Sequence, residues 1–384
     1  MTSSRVDILV VADPRFSGGT AASLVSDVRA FSDLGLTVGL LCVRSHFFVG
    51  TDDRPNAQVL ALPDLPYVTR IDGPVSAEIA FFHHPLAFFH GVETGHPVTA
   101  RRAFVVAHHP AFRGDGSLEY DPVSTNRRIS ADFGCWPWWA PVSGTVRAQL
   151  RSFSPLITMA SEDWHNTFDP ADWQPRRPVF DDGSAVVGRH GRPDFLKWPA
   201  TRDGVVAPLT PGPDWRVRVM GCPGAVMADL GVDTGGWELL EFNAMPVADF
   251  LDTLDVFAFF YHPRWVEAFG RTVAEAILME RLCVLDPRLQ SNFGDLAAYC
   301  RPDEAPALMA RLREAPVAAR ELAADRRVRA LELFGNQSIA GRIARLRDDP
   351  GTRSRSGPKS ASIPVALRKV VGLARRRMAA EGRG

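Results

Sequence analysis

Apolar positions along this chain fall into short unbroken runs that alternate with stretches of helical period, and the alternation occurs twice. Residues 6–12 form a run suited to a buried strand, and residues 21–34 then carry apolar side chains at the three-to-four spacing of a helix. Residues 37–43 read as the next strand, so the chain opens as a strand–helix–strand unit whose strands should pair in parallel. Further strands are expected at 58–62, 78–82 and 102–107, with a helix at 144–152 and an extended segment at 155–160. The pattern restarts at 184–189 and continues through strand-like runs at 215–220, 237–241, 255–260 and 282–285. Two successive parallel-sheet halves predict an α/β protein of two Rossmann-like domains facing a cleft. The domains are expected at 1–172 and 184–346, joined by a linker at 173–183 in a stretch rich in Pro, Arg and Asp. No repeat of solenoid period is present.

Beyond residue 349 the pattern changes. Residues 351–358, Gly-Thr-Arg-Ser-Arg-Ser-Gly-Pro, read as a flexible linker within a basic tail at 347–384. Residues 363–378 then place Leu367, Val370, Val371, Ala374 and Met378 on one helical face, with Arg368, Lys369, Arg375, Arg376 and Arg377 chiefly elsewhere. A helix of this kind can lie on an anionic membrane surface; a solvated or disordered tail is the competing reading.

Composition narrows the partners. A chain of 384 residues can bury two full cores, and its 44 basic and 44 acidic residues leave no net charge to favour nucleic acid as principal partner. No apolar run reaches the roughly 18–20 residues of a membrane span. The N-terminus enters a strand at once, without the shape of a signal peptide. Cys42, Cys135, Cys222, Cys283 and Cys300 are scattered and form no Cys-x2-Cys pair, as expected of reduced thiols in a cytoplasmic protein.

The most informative segment is Glu267-Ala-Phe-Gly-Arg-Thr-Val-Ala-Glu275, between the strand-like runs at 255–260 and 282–285. Phe269, Gly270 and Arg271 read as the turn into a helix at 272–281. A helix start presents backbone N–H groups and a positive dipole end, which together hold a phosphate. Glu267 lies just before that start and Glu275 about one turn inside it, so two hydroxyl-binding carboxylates flank an anion cradle. Acidic residues near a helix start also stabilise the helix itself, by roughly 0.3–1 kcal/mol each. The strand–loop–helix–strand context favours the ligand reading, because α/β sheets bind ligands at the carboxyl ends of their strands.

Three further groups accompany it. Ser17-Gly18-Gly19-Thr20 lets backbone approach a phosphate or sugar closely, though taken alone a plain turn is the stronger reading and the three-glycine dinucleotide spacing is absent. His83-His84 and His108-His109 each follow a strand-like run, without the partners a zinc site requires. Arg189 leaves a strand end and Lys197 follows in a short loop, two cations suited to a diphosphate, with plain surface exposure as the alternative.

The Glu267–Glu275 segment resembles the Glu-x7-Glu motif of GT-B glycosyltransferases, specifically family 4. The resemblance extends over residues 5–346 and is looser in the first half. It implies transfer of a sugar from a nucleotide-diphosphate sugar to an acceptor, with retention and without a metal or other cofactor. It implies that Glu275 takes the ribose hydroxyls, and that Glu267 and His109 (His108 as the alternative) meet the transferred sugar. Gly18, Gly19, Arg189, Lys197, Phe269, Gly270 and Arg271 would lie about the diphosphate. Lys197 is followed by Trp198 where the family has glycine, at a spacing one residue longer than expected. No Asp-x-Asp occurs, which argues against a metal-dependent GT-A transferase. A glycan or lipid-linked acceptor would suit a cytoplasmic enzyme placed peripherally at the inner membrane face. The alternatives are a sugar-nucleotide epimerase and a catalytically silent binding protein.

Overall fold

The structure, a computed structural model, describes residues 4–48, 54–181, 183–354 and 356–381, with side chains as far as Arg376. The described residues hold two six-stranded sheets. The first contains β1 (Ser4–Ala12), β2 (Val38–Cys42), β3 (Val68–Arg70), β4 (Val75–His83), β5 (Val98–Ala107) and β6 (Trp138–Pro141). The second contains β7 (Ala185–His190), β8 (Trp215–Met220), β9 (Trp237–Leu240), β10 (Val256–Phe259), β11 (Leu282–Leu285) and β12 (Ala298–Tyr299). Their orders are β3-β2-β1-β4-β5-β6 and β12-β11-β10-β7-β8-β9, with every pairing parallel. Counted from its own first strand, the second sheet repeats the order of the first. That order reverses direction once in each sheet, between β1 and β4 and between β7 and β10, and such a switch point opens a ligand crevice at the strand carboxyl ends.

The central strands form because their residues suit burial on both faces. All four residues of β10 and of β11 are buried, and such unbroken apolar runs are what a parallel sheet covered by helices requires. The expected strands at 78–82, 102–107, 184–189, 215–220, 237–241, 255–260 and 282–285 are all present, within a few residues at their ends.

Four expectations need correction. Residues 58–62 are not a strand: Asn56 caps a short helix, Ala57–Leu60, by accepting the Gln58 N–H, and a turn at Leu62–Asp64 follows. Val59 and Leu62, the buried residues there, stand three apart, a helical spacing. Residues 155–157 are turn and bend, and only 158–160 run extended, where Met159 bridges to Trp139 and to Thr352. Residues 351–358 are not a free linker. Thr352 exchanges two backbone hydrogen bonds with Met159, at 2.7 and 2.9 Å, and Ser154 Oγ donates to the Arg353 carbonyl. Farther on, Ser360 and Ala361 N–H donate to the Ala148 carbonyl and to Ser152 Oγ. The tail is thus a strap along the helix Gly144–Arg151.

The fourth concerns the division of the chain. One compact unit comprises residues 1–168 with 336–384, the other residues 169–335. Residues 173–183 belong to the second unit, where Arg176 pairs with Asp249 and Asp252 and the Phe180 N–H donates to Asp255. The helix Ile339–Asp348 returns to the first unit, where Arg342 donates to the His165 carbonyl and Thr167 Oγ1. Among the described residues no helix is long and apolar enough to cross a membrane.

Candidate functional site

At the switch point of the second sheet, β7 ends in Arg189-His190 and β10 runs out through Phe260 into the loop that carries Glu267. The helix that follows spans Arg271–Leu278, so Arg271 is its first residue rather than part of the turn. Gly270 caps it with φ +95°, a left-handed conformation that a side chain resists, and a Cβ there would stand 3.1 Å from the Phe293 ring. Phe269 is buried against Phe293 and Phe334, and Asn292 Nδ2 donates to the Phe269 carbonyl at 3.1 Å. The loop before the helix start is therefore held from beneath.

The charged groups cluster about this start. Glu275 is buried, 3.5 Å from Arg271 Nε and 3.5 Å from His190 Nε2. Burial pushes its carboxyl up to about 7, against the pull of Arg271. His190 is pushed down to about 3 by burial and then by Arg189, so it is a neutral ring beside that carboxyl. Glu267 Oε2 accepts from Lys197 Nζ and, at 3.0 Å, from Trp265 Nε1. The Lys197 ammonium also lies 4.5 Å from the centre of the Trp265 ring. Trp265 thus fixes both an anion and its cation.

Arg189 behaves differently from an exposed phosphate ligand. It is buried, donates to the Phe260 carbonyl at 2.9 Å and the Lys197 carbonyl at 2.6 Å, and lies over the rings of Trp198 and Phe259. Burial lowers its pKa to about 9, which still leaves a cation at neutral pH. Its hydrogen bonds tie the strand ends and the Lys197 loop together, while its charge remains within the site.

The first sheet brings a different set to its own switch point. Gly18 (φ +62°) caps the helix Gly19–Asp33 after β1, and a Cβ at Gly18 would meet nothing within 4 Å. Both glycines are exposed. His83 and His84 end β4, and His108 and His109 follow β5 directly. His83 Nδ1 and His108 Nε2 are 3.1 Å apart, the His84 ring stacks on Phe16 at 4.0 Å, and His109 lies 5.7 Å from His84. Burial lowers the pKa of His83, His84 and His109, so these rings are neutral. Among the described residues no three His, Cys, Asp or Glu side chains are placed to hold a metal ion.

The second unit therefore assembles Arg189, Lys197, Glu267, Phe269, Gly270, Arg271 and Glu275 about one helix start. Gly18, Gly19 and His109 share the carboxyl end of the first sheet. Trp265, His190 and Asn292 belong to the second site and carried no signal of their own in the sequence, since each acts through a neighbour fixed only by the fold.

No protein-family model matches this chain, and no curated protein does. Solved structures do. Anabaena HepE in complex with UDP and glucose superposes with a TM-score of 0.58 at 13% identity, over 88% of this chain and 98% of that one. A glycosyltransferase from Rickettsia africae gives 0.57 at 12% identity, over 91% and 98%. An E. coli protein described as trehalose-6-phosphate bound with UDP-2-fluoro glucose gives 0.53 at 12% identity, over 91% and 100%. At such identities the likeness is one of fold: the chain has the two Rossmann-like α/β domains of the GT-B glycosyltransferases.

Proposed function

We propose that this protein is a glycosyltransferase of the family 4 type that moves a sugar from a nucleotide-diphosphate sugar to a glycan or lipid-linked acceptor. The observation that carries the reading is the pair Glu267 and Glu275 set about the start of the helix Arg271–Leu278, at the switch point of the second sheet. The diphosphate would rest at that helix start, where the dipole and the cations Lys197, Arg189 and Arg271 offset its charge. Glu275 would take the ribose hydroxyls, and Glu267 those of the transferred sugar. Stabilising the departing diphosphate would be the principal catalytic contribution, filled by side chains and the dipole rather than a metal ion. The family resemblance further assigns Gly18 and Gly19 to the diphosphate and His109 to the transferred sugar. No side chain stands out as a nucleophile, and retention is part of the family reading. HepE solved with UDP and glucose, and with UDP-glucose, supports a nucleotide-sugar as donor class. The protein would act in the cytoplasm, at the inner membrane face where its acceptor is lipid-linked.

A panel of nucleotide-sugars tests the reading, with release of nucleoside diphosphate followed under exhaustive chelation. The expected result is turnover of one donor that survives chelation. Epimerisation of a donor with no diphosphate released would replace the reading, and a strict requirement for magnesium or manganese would overturn its leaving-group chemistry.

A further inference from the structure

We propose that the C-terminal helix docks the protein on an anionic phospholipid bilayer through a face other than the one its sequence suggests, with a lipid phosphate held in the hollow beside it. The helix Ile363–Glu381 is fastened to the first unit along one side. Ala366 is buried, Val370 and Leu373 are half-buried, and Lys369 Nζ donates to the Gly116 carbonyl and lies 5.7 Å from the centre of the Phe112 ring. The apolar face expected from periodicity is therefore divided. Val370 is half-buried against the protein while Ala374 is exposed, and the Arg377 and Met378 side chains lie outside the described residues.

The most exposed large apolar side chains are Leu367, 42% exposed, and Val371, 49% exposed, with the small Ala374 beside them and the exposed Arg368, Arg375 and Arg376 bordering them. Between this face and the turn at 115–118 is a hollow of about 420 Å³ whose lining includes Arg368, Lys369, Arg376 and Ser117, with Asp115 the one carboxylate among them. Cations around a small concavity suit a phosphate, and two apolar side chains at the crest suit the boundary between headgroups and acyl chains. Two such side chains are too little for the apolar centre of a stable protein interface, and they have no counterpart on a nucleic-acid backbone. The strap at 351–362 carries the helix to this place, so the docking face is presented by a folded body.

This inference deepens the proposed function by placing the enzyme on the surface that would hold a lipid-linked acceptor, yet its test is independent of the donor site. The full chain is sedimented with vesicles of phosphatidylcholine alone and of equal parts phosphatidylcholine and phosphatidylglycerol, at low and high salt. Binding is expected only to the anionic vesicles, weakening as salt rises. Combined Arg368→Glu, Arg375→Glu and Arg376→Glu should reduce it by about a hundredfold or more, since each basic residue near such a surface contributes about fivefold. Leu367→Ser with Val371→Ser should reduce it by about tenfold. The melting temperature and UDP binding of both variants should match the parent. Equal binding to neutral and anionic vesicles, no binding to either, or unchanged binding by the charge-reversed variant would overturn the proposal. Absent UDP binding by the parent would instead count against the donor site alone.

Discussion

The two sheets share one strand order, yet their switch points hold opposite kinds of chemistry. The second gathers formal charge: Lys197 on Glu267, Arg271 beside Glu275, and the buried cation of Arg189 behind them. The first gathers neutral imidazoles and aromatic rings; its ion pair of Arg15 on Asp13 is closed on itself and bonded into the Ser45 backbone, and Arg113 pairs with Glu119 near His109. Topology alone therefore makes two equivalent crevices, and side-chain chemistry separates them. On the proposed function, an anionic diphosphate belongs with the charged one. The neutral end offers imidazole nitrogens and aromatic surface instead.

Substitutions on each side can break that contrast. Glu267→Ala should have the largest effect, because it removes the carboxylate that the proposed function gives to the transferred sugar and also releases Lys197 and Trp265. A loss of about 10²–10³ in turnover is expected, with binding of free nucleoside diphosphate nearly kept. Steady-state kinetics beside calorimetry would show this, and equal loss in both would mean that Glu267 serves the nucleotide instead.

Glu275 gives a pH signature. The folded chain holds its proton up to about pH 7, whereas an unfolded carboxyl releases it near 4.5. Between those values the native state binds more protons, so the stability of the unliganded protein should fall as pH rises, by about 3 kcal/mol at most. Glu275→Gln should flatten that part of the profile in urea titrations from pH 5 to 8. A profile identical to the parent would show that another group titrates there.

Trp265→Phe should act more gently. It keeps a ring under Lys197 but removes the 3.0 Å hydrogen bond to Glu267, and a lost hydrogen bond to a charged group costs on the order of 1.5–3 kcal/mol. Turnover should fall by about tenfold or somewhat more, with little change in diphosphate affinity. His109→Ala, in the neutral crevice, should raise the KM for the sugar donor by less than that and leave free diphosphate binding unchanged.

The central strands were legible because double burial leaves long apolar runs, as in β1, β10 and β11. The strands missing from the sequence reading, β3, β6 and β12, are edge strands of two to four residues, too short and too mixed to carry a pattern. The tail was misjudged for a related reason: Gly, Ser and Pro suggest a linker, but backbone hydrogen bonds to Met159 and Ala148 do not depend on side-chain type. The Glu267–Glu275 segment was legible because both carboxylates and the helix start lie within one stretch of chain. Arg189 was legible only as a cation; that its guanidinium ties two carbonyls depends on Phe260 and Lys197 arriving from elsewhere.

The central claim is that a nucleotide-sugar donor binds at the charged carboxyl end of the second sheet. Titration calorimetry of the full chain with a panel of nucleoside diphosphates, UDP among them, repeated on Glu275→Ala with the one that binds, is the decisive measurement. The account predicts binding by the parent and an affinity weakened by about 5- to 150-fold in the variant, the equivalent of 1–3 kcal/mol for a lost buried hydroxyl partner. A variant that binds that nucleoside diphosphate as tightly as the parent, or a parent that binds none of the panel, would contradict it.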